Sequence, residues 1–209
     1  MRMFVSGPWR TLGPGRPGRG TDDVRFRPKA DIGMLLTLED IQARMDKKVD
    51  AMELEIRRLR LITGGLADHE ISALEKQAGH RLSNDYEALI RRYDFTDLSI
   101  GPVDFSFTRV FPYEISGFTT DPQLPEGMLL IAGSDPHDFA IDVTTGEIRL
   151  LNSELRQIRY VVARSFELFV RGVATVMLMR EGTERTALAA SVAFAVGAQS
   201  GEFWEWLAG

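Results

Sequence analysis

From Leu38 onward, apolar residues recur at Ile41, Met45, Val49, Met52, Ile56 and Leu59, always three or four positions apart, and most positions between them are charged. On a helix this spacing lines one face with hydrophobic side chains, so residues 34–65 are expected to hold an amphipathic helix that stops at Gly64 and Gly65. The average step of about 3.5 residues is that of a coiled-coil seam. Residues 35–62 therefore offer a surface for a homodimer, although three heptads lie near the minimum for an isolated coiled coil and folding back onto the same chain competes with pairing. A second helical pattern runs from Asp68 to Tyr93 through Ile71, Leu74, Ala78, Leu82, Tyr86, Leu89 and Ile90, with a break between Gly79 and Ser83. Asp68 is placed to cap its start, and Ser83, Asn84 and Asp85 to cap the restart.

After Asp94 the period falls to two. Val103, Phe105 and Phe107 alternate with polar residues, and apolar runs through Ile115, 128–131, 139–143 and 148–150 read as further strands, with loops at Pro112, Pro122 and Pro125. Helical spacing returns from Ser165 with Phe166, Phe169, Val170, Val173 and Met177, and stops at Gly182. Residues 184–198 carry one more helical pattern. The closing Phe203, Trp204, Trp206 and Leu207 are expected to dock on the body, because rings left in water forgo a large burial gain.

With 209 residues and 44% hydrophobic side chains, the chain is sized for one main core with an added helical layer. It has no cysteine, which excludes disulfides, thiolate nucleophiles and cysteine-held metal centres. The longest apolar candidate, 186–198, has 13 residues where a bilayer span needs roughly 20, and the first residues lack the apolar run of a secretory signal. A cytoplasmic protein without membrane contact is the expectation. Residues 1–33 are rich in glycine, proline and arginine and show no apolar period, so they are expected to be disordered, with Met34 as an alternative start. Gly13, Gly15 and Gly18 match the spacing of a dinucleotide-binding loop, but Pro14 and Pro17 interrupt it and neither a strand nor a helix flanks it.

Charge changes the picture more than composition does. Residues 94–154 hold eleven acidic against two basic residues, a net −9, whereas the whole chain is −5. Such a field repels nucleic acid and attracts a basic partner. Within it, LLIAGSDPHDFAIDVTTGEIRLL (129–151) carries four acidic side chains and one histidine, which raises the question of a metal or acid–base site. On a strand, Asp138 and Asp142 face one side about 13 Å apart at roughly 3.3 Å per residue, too far for one metal ion to bridge. His137 falls on the opposite face, with Phe139, Ile141 and Val143. Asp135 and Pro136 read as a turn, and Thr144, Thr145 and Gly146 as a hairpin loop. Elsewhere His69 and His80 stand about 16 Å apart along a helix, too far to share a metal. Ser134 lacks the G-x-S-x-G elbow and no histidine is placed by sequence to activate it. No catalytic, cofactor-binding or metal-ligating residue is assigned, and the chain is expected not to be an enzyme.

Three stretches, taken in order, resemble the SUKH superfamily, which includes bacterial immunity proteins and yeast cell-wall-synthesis regulators of the Smi/Knr type. EISALEKQAGHRLSNDYEALIRRYDF (70–95) is similar to the family's opening helix. LPEGMLLIAGSDPHDFAIDVTTGEIRLL (124–151) is similar to its central strands, with Gly133 between strands and an Asp-x-x-Thr-Gly hairpin. VVARSFELFV (161–170) looks like the start of its closing helix, with Ala163, Ser165, Phe166 and Phe169 as the signature. The chain departs from the pattern at Leu82-Ser83, where the family has Leu-Pro, and at residues 94–97, where it has a glycine pair. The resemblance implies an α+β domain with helices packed on one face of a mostly antiparallel sheet, without an active site. The expected organisation is a disordered segment 1–33, an amphipathic helix in 34–65, the SUKH-like domain at 66–182, and a C-terminal helix with aromatic tail at 183–209. It further implies binding to a toxin, often a nuclease, whose basic cleft the acidic segment would meet. Asp94, Asp97, Asp104, Asp135 and Asp138 are the candidate partner-binding residues. The alternative is a scaffold or regulatory protein of the same fold, assembled through the 35–62 helix.

Overall fold

The computed structural model describes residues 34–51, 59–105, 124–152, 157–179 and 183–209. The expected disorder of 1–33, the helical positions Met52 and Ile56, the strand positions Phe107 and Ile115 and the stop at Gly182 lie outside the described residues.

Helix α1 (Leu38–Ala51) starts on a reciprocal cap: the Thr37 hydroxyl accepts the Asp40 N–H at 3.1 Å, and the Asp40 carboxylate accepts the Thr37 N–H at 3.2 Å. The Thr37 hydroxyl, which also donates to that carboxylate at 2.9 Å, and the Thr37 N–H hold the Asp40 carboxyl below the usual carboxylate range. Leu38, Ile41 and Met45 of the apolar stripe join the main core, and Val49 is buried as well. The described part of the seam is therefore covered within the chain. The expectation of one helix running to Gly64 is corrected by Arg60, which donates to Asp46 at 3.1 Å and Asp50 at 2.8 Å. A continuous helix would carry Arg60 about 15 Å past Asp50, so Arg60 does not continue α1. Ile62–Thr63 is instead a short strand, β1, which pairs antiparallel with β2 (Tyr93–Asp94).

Between β1 and β2 the broken second helix appears as α2 (Asp68–Ala78) and α3 (Asn84–Arg92), separated at Gly79, where φ is +72°. The cap of α2 is Ala67, one residue before the expected Asp68. The Glu70 carboxylate accepts the Ala67 N–H at 3.0 Å, which leaves Asp68 inside the first turn to pair with Arg91. Ser83 takes the capping position of α3, but its side chain makes no capping bond.

The main sheet has six antiparallel strands in chain order: β3 (Ser99–Ile100), β4 (Val103–Asp104), β5 (Met128–Ser134), β6 (His137–Asp142), β7 (Ile148–Asn152) and β8 (Ile158–Ala163). The fold is α+β, as expected. Alternation sends Phe139, Ile141, Ile148 and Leu150 into the core shared with the helices, while Met128, Ala140 and Leu151 form a small cluster with Leu124 on the other face. Residues 161–163, assigned above to the start of a closing helix, end β8. The helix begins only at Phe166, where the Ser165 hydroxyl accepts the Leu168 N–H at 3.2 Å. An apolar run of that length suits strand and helix equally, and the serine marks the change.

Helix α4 (Phe166–Met179) lies at the centre, with α5 (Thr183–Val196) and α6 (Glu202–Ala208) against it. A Cβ on Gly172 would sit 2.6 Å from the Trp204 ring, so the glycine is what lets the indole reach the helix backbone. The Trp204 Nε1–H donates to the Val162 carbonyl at 3.2 Å. On the opposite side of the sequence, the Leu36 N–H donates to Thr175 Oγ1 at 2.9 Å and Arg171 donates to the carbonyls of Leu35 and Leu36. Both flanking segments thus share one core with the central part. Gln199 covers the outer edge of β8: its N–H donates to the Val161 carbonyl at 2.9 Å, and its side-chain oxygen accepts the Val161 N–H at 3.1 Å.

Candidate functional site

The β5–β6 hairpin turns on two residues, Asp135 and Pro136, and its register pairs Ser134 with His137 and Gly133 with Asp138. Gly133 also pairs with Asp104 on β4. Asp104 and Asp138 therefore flank a residue without a side chain, on one face, with backbones two strand spacings or about 10 Å apart. Asp135 is exposed at the turn itself. Three of the five candidate aspartates thus gather at one end of the sheet. Asp97 is exposed in the turn before β3. Asp94 is not with them: it lies in the two-stranded sheet, and its carboxylate accepts the N–H of Thr96 at 2.9 Å and the Thr96 hydroxyl, so it is engaged in its own turn.

Asp142 closes the next hairpin. Its carboxylate accepts the N–H groups of Thr144 at 3.0 Å and Thr145 at 3.1 Å, and Gly146 adopts φ +77° to let the chain return. Arg149 reaches Asp142 at 3.4 Å and Glu147 at 3.3 Å. The carboxylates of this hairpin loop have structural partners, and the reading of 129–151 as hairpins holds.

His137 faces the core side of β6, away from Asp138 and Asp142. Its ring meets Trp206 at 4.8 Å and Phe203 at 6.2 Å, both nearly perpendicular. Burial, helped by the charge of Arg159, pushes the imidazole pKa down, while Asp135 and Asp138 pull it up less strongly. It is neutral at pH 7. Ser134 is its cross-strand neighbour. A two-residue turn brings together side chains that linear spacing does not pair on one face. The Ser134 hydroxyl is buried and makes no hydrogen bond, so no proton relay joins the two. Among the described residues no group of three or more histidine or acidic side chains could hold a metal ion.

A cavity of about 470 Å³ lies elsewhere, where the N-terminal parts of α1 and α4 and one side of α3 meet the β6–β7 loop. Arg92, Arg164 and Arg171 line it together with Glu39, Asp85 and Glu167. Arg92 bonds Glu39 at 2.8 Å and Arg171 bonds Glu167 at 3.2 Å, so the wall is balanced in charge and largely self-paired. Burial pushes the Tyr86 phenol up, keeping it neutral beside these pairs. The cavity was not legible in the sequence because four separate segments build it. The only local signal was the serine or threonine before each helix.

No family model, no curated protein and no solved structure matches this chain. Among the described residues no helix is long and apolar enough to cross a membrane.

Proposed function

We propose that the chain is a non-catalytic, cytoplasmic protein-binding domain of the SUKH type, an immunity protein that neutralises a basic, nuclease-like bacterial toxin by direct stoichiometric binding. The observation that carries this reading is the gathering of carboxylates at the turn end of the sheet: Asp135 exposed at the tip, with Asp104 and Asp138 flanking Gly133 beneath it. A nuclease cleft must attract phosphate and is therefore basic, and opposite fields accelerate encounter while suppressing wrong partners. The three family-like stretches fall in chain order on α2, α3 and β2, then, after β3 and β4, on β5 to β7, and last on β8 and α4. Assembly through the 35–62 helix is the weaker reading, because Ile41 and Met45 already pack in the chain's own core.

The test is co-expression with the product of any toxin nuclease gene found beside its own, followed by native mass spectrometry and a nuclease assay. A one-to-one complex with the nuclease silenced is the expected result. Separate species with the nuclease fully active would contradict the proposal.

A further inference from the structure

Trp206 stands apart from the rest of the aromatic tail. Phe203, Trp204 and Leu207 are buried, whereas Trp206 keeps 38% of its surface open, with its ring stacked on Phe203 at 6.0 Å and met by His137 at 4.8 Å. Phe203 is fixed in the core and His137 by its place in β6, so the indole is held at the surface. A rigid, half-open indole is the kind of group that anchors contacts between proteins.

Its surroundings are acidic. Asp135 in the turn and Asp138 on β6 both act on His137, and Glu202 lies one helical turn before Trp206. Arg159, whose charge also acts on His137, is engaged by Glu202 at 3.5 Å. An aromatic ring and an exposed carboxylate offer two things a guanidinium uses: a π surface and an opposite charge.

We propose that Trp206 and Asp135 receive an arginine side chain of the basic partner, the indole stacking on the guanidinium and the carboxylate pairing with it. This rests on the reading of the partner as basic, and it locates the contact where the β5–β6 turn meets the last helix. A nucleobase is the competing occupant for an exposed indole, but the carboxylates repel its phosphates.

The experiment titrates the full chain at low salt into a fluorescently labelled octa-arginine peptide, with octathymidylate as the nucleic-acid arm. Trp206→Ala is expected to weaken peptide binding about tenfold and Asp135→Asn about threefold, while Asp97→Asn changes it less than about twofold. Asp135 is an exposed turn residue, so its substitution keeps the test valid if thermal melting shows that Trp206→Ala disturbs the fold. If the wild type binds the peptide and neither substitution weakens it, this site is wrong while the basic-partner reading stands. If the wild type does not bind the peptide, that reading falls as well. Tighter binding of the oligonucleotide than of the peptide overturns the arginine assignment.

Discussion

Gly64 and Gly65 adjoin in sequence and differ in what they do. A Cβ on Gly65 would sit 1.9 Å from the Ile90 carbonyl oxygen, whereas Gly64, at φ +92°, has nothing within 4 Å. The N–H groups of Gly64, Gly65 and Leu66 donate to the carbonyls of Arg92, Arg91 and Ile90, so the chain runs hard against the end of α3 here. Gly65→Ala must push backbone apart and is expected to cost about 3 kcal/mol, against about 1 kcal/mol for the conformational strain of Gly64→Ala. Urea unfolding of the two variants checks this, and equal losses would contradict it. The glycine pair was visible in the sequence as a stop signal. Its use for close approach was not, because the carbonyl it admits belongs to another helix. The aspartates repeat the lesson: Asp94 and Asp135 look alike in the sequence, yet Thr96 engages one and the other is open at a turn.

At the scale of elements, periodicity located the helices wherever one face is buried and the other wet. Ile71, Leu74 and Ala78 in α2, and Tyr86, Leu89 and Ile90 in α3, are buried as their spacing requires. It could not locate β1, β2 or β3, since two residues cannot express a period; β4 was marked only because the alternation from Val103 carries on to Phe105. Helical spacing from Ser165 marked the start of α4, but the short apolar run before it carried no strand signal, so β8 was missed. Helix α6 shows the opposite dependence: at seven residues it is too short to stand alone in water and exists by docking Phe203 and Trp204 into the core. Trp204→Ala is accordingly expected to destabilise the protein by about 3–5 kcal/mol, the range for emptying a large buried aromatic site, with the far-ultraviolet signal of α6 lost first. A variant that unfolds at the wild-type denaturant midpoint would show that the C-terminal segment is an appendage and no part of the core.

For the whole molecule, the decisive property is that charge and shape separate. The acid excess of residues 94–154 is carried in part on the β5–β6 turn end, while the cavity between α1, α3 and α4 has as many guanidinium groups as carboxylates among the charged groups that line it. The charge excess was legible from the sequence by counting; that Asp104, Asp135 and Asp138 share one end of the sheet, and that Trp206 stands beside that turn, required the register of β4, β5 and β6. Long-range attraction acts on the rate of encounter and is screened by salt, since the Debye length falls from about 10 Å at 0.1 M to about 3 Å at 1 M. The most direct measurement is therefore the stopped-flow association rate of the chain with the proposed basic partner as a function of salt, for the wild type and for Asp135→Asn combined with Asp138→Asn. The expected result is an on-rate about threefold to tenfold lower for the double variant at low salt, with a flatter salt dependence and convergence of the two proteins at high salt. Identical rates and slopes at every salt concentration would contradict the claim that this end of the sheet is what a basic partner recognises.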